Sequence, residues 1–161
     1  MSHTFVRLTD KNNENRAALV SQLHTALSLR YGRDRDDHSD FMLHNDLLAT
    51  FTINMQRVGL ISHQNPSQDP SELIDILIQR ECTVIVFTSV SFQDVLHQID
   101  HAVSEKGFRI IHSAPFWSST FEFGYLEQVE VENIIDLLEI LTEDIVPFRM
   151  NTQATSSNLI Y

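Results

Sequence analysis

The chain has 161 residues, with 22 acidic residues, 11 Lys or Arg and eight His, and a formal net charge of −11. This length, with 42% hydrophobic residues, predicts a single domain over residues 1–161 with one core. The acid excess argues against direct binding to nucleic acid or to an anionic membrane, because both need clustered Lys and Arg. A basic protein or a small ligand remains a possible partner.

Cysteine content and apolar runs limit the class further. Cys82 is the only cysteine, which excludes an internal disulfide and a multi-cysteine zinc site. The first twenty residues lack the apolar segment of a signal peptide, and no apolar run is long enough to cross a bilayer. We therefore expect a soluble, cytoplasmic protein. The four glycines form no phosphate-binding loop, and we expect no cofactor.

The first 61 residues predict a mainly helical segment. Residues 3–9 alternate like a strand, and residues 12–30 have the apolar spacing of an amphipathic helix. Residues 41–61 are ambiguous, because Thr50 to Ile53 favour a strand whereas the longer apolar spacing favours a helix. We predict a helix there. Residues 62–70 contain two prolines among polar residues and predict a linker loop.

The second half predicts alternating strands and helices. Asp69 caps a helix over residues 70–80, the run from Cys82 to Thr88 forms a buried strand, and Ser91 caps a helix that ends at Gly107. Residues 108–113 and 119–126 predict two further strands, with residues 114–118 as the loop between them. The last helix covers residues 131–144, a short edge strand can follow up to residue 150, and residues 151–161 predict a mobile tail.

The element order from Cys82 onward is strand, helix, strand, strand and helix, and a short strand can follow. It resembles the ferredoxin-like split unit, an architecture that hosts many unrelated activities. We therefore predict an α+β fold in which the helical N-terminal segment packs on a ferredoxin-like βαββα(β) unit, residues 71–150, with a mostly antiparallel sheet.

Two local patterns suggest chemistry. His97 and His101 are one helical turn apart and flank Asp100, and this string resembles the H-x-x-E-H signature of inverted zinc proteases with Asp for Glu. Asp is one methylene shorter than the Glu that serves as the base, and the same residues suit the polar stripe of an exposed helix face. We expect no metal there. Cys82 precedes a buried apolar strand, and we interpret it as a core thiol and not as a nucleophile.

The acid excess lies mainly near the C-terminus. Residues 1–60 contain seven acids and seven bases, whereas residues 110–161 contain eight acids and one base. On the last helix, acids recur at spacings of three and four, so like charges are neighbours and oppose helix stability. Such a surface suits a basic partner. The predicted partner-binding residues are Glu127, Glu130, Glu132, Asp136, Glu139 and Glu143, with Phe116 and Trp117 in the neighbouring loop.

The leading functional hypothesis is a non-enzymatic acidic protein-binding module, of the inhibitor, immunity, adaptor, chaperone or phage-antagonist type. Nucleic-acid mimicry is a special case of it, and a homodimer is possible. The acidic surface can also serve solubility alone. The alternatives are a small-ligand-binding or regulatory ferredoxin-like domain, and a metal-dependent hydrolase that uses His97, Asp100 and His101.

Overall fold

The computed structural model describes residues 2–8, 17–32, 41–43, 46–91, 93–113 and 123–143, and it leaves out the side chains of 41–43 and 123–127. These residues form six strands and four helices. In chain order they are β1 (His3–Leu8), α1 (Ala17–Tyr31), β2 (Phe41–Leu43), β3 (Asp46–Ile53), β4 (Gln56–His63), α2 (Pro70–Gln79), β5 (Val84–Ser89), α3 (Gln93–Glu105), β6 (Phe108–Ser113) and α4 (Phe123–Thr142).

The six strands form one mixed sheet in the order β2-β3-β4-β5-β1-β6. Strands β4, β5, β1 and β6 are parallel, whereas β2 and β3 extend the sheet as an antiparallel meander. The predicted combination of helices with one sheet is confirmed. The sheet is antiparallel only in part, because α2 and α3 are crossover helices that return the chain in the same direction.

Helices cover both faces of the sheet. On one face α1 and α4 pack on side chains that include Val6, Phe51 and Val86. On the other face α2 and α3 pack on Phe5, Phe87 and their neighbours. Each buried side chain of this size contributes roughly 1.5 to 3 kcal/mol. This covering of both faces explains why the central strands lack polar alternation.

The first third of the chain differs from the prediction. It starts with a strand, as the alternation at residues 3–9 indicates, but it contains only one described helix, α1. Residues 46–63 form a hairpin and not a helix, because Asn54 and Met55 adopt positive φ angles of 51° and 66° and reverse the chain between β3 and β4. The predicted linker is shorter than expected, since β4 continues through His63.

The second half agrees more closely. Asp69 accepts a hydrogen bond from the Ser71 amide and caps α2, and Gly107 follows α3 with a φ of +91°. The strand predicted at residues 119–126 is wrong from Phe123 onward, because α4 begins there. The ferredoxin-like order is therefore not found among the described residues. Residues 114–118 and 144–161 lie outside the description. No helix in the described part of the chain is long and apolar enough to span a membrane.

Candidate functional site

The acidic residues predicted to bind a partner differ in exposure on α4. Glu132, Asp136 and Glu143 are exposed, whereas Glu130 is only 8% exposed. Glu130 precedes the buried Ile134 by one helical turn and therefore lies on the inner side of α4. It does not belong to the exposed surface. Three predicted contact residues have no described side chain: Glu127, Phe116 and Trp117.

Two side chains at the end of α1, Arg30 and Tyr31, contact acidic residues of α4. Arg30 lies 3.9 Å from the Glu132 carboxylate and 3.7 Å from that of Glu139. Tyr31 donates its hydroxyl to Glu139. The pKa of Tyr31 is raised above 10.0 by burial and by the neighbouring Glu139 carboxylate. These exposed ion pairs contribute little to stability. The positive charge of Arg30 nevertheless offsets part of the negative charge of Glu132 and Glu139.

A surface groove of about 580 Å³ runs between α1 and α4 where the two helices pack together. Its lining includes Ala26, Leu29, Val131 and Glu132, and the Leu29 side chain is 85% exposed. Ile140, which follows Glu132 on the outer side of α4, is 64% exposed. Single exposed leucines are common on protein surfaces. Here two large exposed apolar side chains, Leu29 and Ile140, belong to the same pair of helices, α1 and α4, as the exposed acids.

The predicted metal candidates lie on α3, and their side chains interact with different partners. His97 is exposed, and His101 lies 3.4 Å from Glu105 at the surface. Asp100 contacts the sheet instead, through Arg7. Among the residues that the structure describes, no three His, Cys, Asp or Glu side chains are grouped so that they could hold a metal ion.

Asp100 belongs to a charged cluster between α3 and the sheet. Its Oδ2 accepts a hydrogen bond of 3.0 Å from the Arg7 guanidinium, and the His112 Nε2 lies 3.5 Å from the same oxygen. Arg7 is 4% exposed and sits in β1, near the edge where the parallel strands end. The cluster fastens α3 to β1 and β6.

A second polar cluster occupies the same edge and was not identified from the sequence. His63 is 1% exposed, and its Nδ1 lies 2.7 Å from the Ser89 Oγ. Its Nε2 lies 2.8 Å from the Gln68 carbonyl oxygen. Ser89 Oγ also accepts a hydrogen bond of 3.0 Å from the Ser91 amide. No local motif links residues 63 and 89, since only the pairing of β4 with β5 brings them together.

The opposite edge of the sheet carries a cavity of about 650 Å³. Arg57, Lys106 and His3 line it together with Phe108 and the buried Cys82. Lys106 is paired with Asp75, and Arg57 donates to the Arg80 carbonyl oxygen. The burial of Cys82 agrees with its interpretation as a core thiol.

Comparisons with models of protein families, with curated proteins and with solved structures found no match to this chain.

Proposed function

We propose that this chain is an acidic protein-binding module that engages a basic protein through the outer surface of α1 and α4. We define the α1–α4 face as Leu29, Glu132, Asp136, Ile140 and Glu143. The observation that carries the proposal is the 85% exposed Leu29 in a groove whose rim includes Glu132. Apolar side chains that are buried on binding supply affinity, and the surrounding acids guide a basic partner into place.

The helical spacing supports one continuous surface. Glu132, Asp136 and Ile140 follow one another at intervals of four residues, so they share one side of α4. Glu143 directly follows α4, and its amide continues the helical hydrogen bonding to the Glu139 carbonyl oxygen. The opposite side is occupied by Val131, Ile134, Ile135 and Leu138, which pack in the core. The exposed acids therefore add nothing to the packing of α4.

Photo-crosslinking in the native host tests the proposal. A photoreactive residue replaces Leu29 in one variant and Met55 in another, since Met55 is 96% exposed at the far hairpin. We expect position 29 to yield one cross-linked protein whose contact peptide is rich in Lys and Arg. Cross-links from position 55 should not contain that protein.

Charge reversal provides the matched control. Asp136→Lys with Glu143→Lys should abolish the cross-link and slow association with the purified partner about tenfold or more at low salt. Glu81→Lys with Glu105→Lys makes the same change of net charge outside the α1–α4 face. This pair should have little effect on the cross-link or on the association rate. Equal effects of the two pairs, or identical cross-links from both positions, would refute the proposal.

A small-ligand-binding domain is the second candidate, and the cavity of about 650 Å³ at the other edge of the sheet favours it. Arg57 and Lys106 near the Phe108 ring suit an anion with an apolar body. A screen of such acids by thermal unfolding tests this, because a ligand at 100 times its dissociation constant stabilises the native state by about 2.7 kcal/mol. Loss of that shift in Lys106→Ala would assign the ligand to this cavity.

A further inference from the structure

Three polar residues form a row across neighbouring strands on the α2–α3 face of the sheet. His63 in β4 is the register partner of Ser89 in β5. Leu47 pairs with Ser62, so the next step of the same ladder brings Asp46 opposite His63. The row lies where the parallel strands end and where α2 and α3 begin. In α/β sheets this edge is the usual place for a ligand.

The contacts of His63 define which ring nitrogen carries its proton. The Gln68 carbonyl oxygen can only accept a hydrogen bond, so Nε2 of His63 is the donor. In the neutral ring Nδ1 is then an acceptor, and the hydroxyl of Ser89 donates to it over 2.7 Å. A serine hydroxyl bonded to an imidazole whose other nitrogen is held by a third group is the arrangement of an activated nucleophile.

Ser91 completes the environment of the Ser89 oxygen. Its amide donates to Ser89 Oγ over 3.0 Å, and its own Oγ lies 2.9 Å away. Because Ser89 has one hydroxyl proton, it donates either to Ser91 Oγ or to Nδ1 of His63, and attack uses the rotamer that donates to His63. The positive end of α3, which starts at Gln93, follows directly and favours negative charge developing nearby.

Asp46 stabilises the turn that holds the histidine. It is 1% exposed and accepts hydrogen bonds from the amides of Gln64 and Asn65, over 2.5 and 2.9 Å. These two residues directly follow His63 and lead to the Gln68 carbonyl. Asp46 is thus a positioning residue, which acts through the turn and makes no contact with Ser89.

We propose that Ser89 is the nucleophile and His63 the general base of an acyl-transfer site that hydrolyses small carboxylic esters. This proposal is independent of the binding function of the α1–α4 face. Ser89 is partly exposed whereas His63 is buried, so the pair opens to solvent on the Ser89 side.

The proposed reaction has two steps. Ser89 Oγ attacks the acyl carbon and its proton passes to Nδ1 of His63, which then protonates the leaving alcohol as the ester C–O bond breaks. Water attacks the acyl-serine, and its proton passes to Nδ1. When the acyl–Oγ bond breaks, that proton returns to Ser89 and the carboxylic acid leaves.

Labelling with an alkyl phosphonofluoridate tests the nucleophile directly. The Oγ–phosphorus bond forms as fluoride leaves, and mass spectrometry locates the adduct. We expect one adduct, on Ser89, in the native protein and none at Ser89 after unfolding in urea. This comparison needs no variant. Absence of an adduct on native Ser89, or equal labelling of Ser91, would overturn the proposal.

Variants test the base and the ester reaction. His63→Gln should slow labelling and the hydrolysis of p-nitrophenyl acetate about 100-fold or more, and Ser89→Ala should abolish both. Ser104→Ala, at an exposed position near the far end of α3, is the control and should leave both rates unchanged. If folded His63→Gln, verified by circular dichroism, reacts at the native rate, His63 is not the base. If His63→Gln does not fold, the solvent isotope effect on labelling of the native protein decides the matter, since a general base takes the serine proton in the transition state and labelling is then slower in D2O. Equal labelling rates in H2O and D2O would exclude general-base catalysis.

Discussion

The guanidinium of Arg7 and the carboxylate of Asp100 meet at 3.0 Å and join the end of β1 to α3. Their side chains are 5% and 18% exposed, so neither charge is well solvated. This ion pair connects residues 93 positions apart in the chain.

Removal of one member should be costly because the other charge stays buried. We expect Asp100→Ala to lower the free energy of unfolding by about 2 to 4 kcal/mol. The double variant Arg7→Met with Asp100→Leu should recover more than half of that loss. Urea unfolding at pH 7 measures both. As a control, Lys106→Ala breaks the exposed pair with Asp75 and should change stability by less than about 1 kcal/mol. Equal losses in the two single variants would contradict the burial argument.

Gly59 in β4 is required by close packing against α2. A Cβ at this position would lie 2.4 Å from Cδ1 of Leu77, which is itself fully buried. Gly59→Ala should therefore destabilise the protein by about 1 to 3 kcal/mol, and thermal unfolding would detect it. Combining it with Leu77→Ala should cost less than the sum of the two single changes, because the second change removes the clash. Strict additivity would show that the two sites do not touch.

The burial of Tyr31 and its bond to Glu139 should make the free energy of unfolding depend on pH in the alkaline range. The pKa of Tyr31 is raised in the folded chain, so the folded state holds this proton more tightly than the unfolded state. The stabilisation is complete below pH 10 and is lost as pH rises through the folded value. Tyr31→Phe should cost about 1 kcal/mol at pH 7. The difference from the native chain should shrink above pH 10, and a constant difference from pH 7 to 11 would disprove the linkage.

Met55 occupies a backbone conformation that suits glycine. Its φ is 66°, and its side chain is 96% exposed. Met55→Gly should raise the free energy of unfolding by about 0.5 to 1 kcal/mol, because it relieves the left-handed strain without removing core contacts. Guanidinium unfolding measures this change. A loss of stability would show that the Met55 side chain makes contacts that outweigh the strain.

Sequence patterns identified elements with clear local signals and missed those without them. Asp69 before Pro70 marked the start of α2, and the β-branched run after Cys82 marked β5. The hairpin of β3 and β4 was missed because both strands are largely buried, which removes alternation, and because the turn at Asn54 contains no glycine. Aromatic alternation around Phe123 favoured a strand, whereas α4 buries its apolar residues at helical spacing.

Among the candidate sites, too, only the one with a local sequence signal could be predicted. The acids of α4 could be found by counting charges, although only helix packing distinguishes Glu130 from Asp136. The His63 and Ser89 pair is 26 residues apart in sequence and arises from strand register alone. No spacing rule applies to residues that meet across a sheet.

The position of β1 inside the sheet also determines the order in which the chain can fold. Thr4 pairs with Val84 on one side and with Arg109 on the other, 80 and 105 residues later. At roughly 5 to 20 residues per second during synthesis, the apolar first strand waits several seconds for both neighbours. Val6 can pack early on α1, but Phe5 packs against α2, β5 and later elements, so its ring stays uncovered longest in the nascent chain.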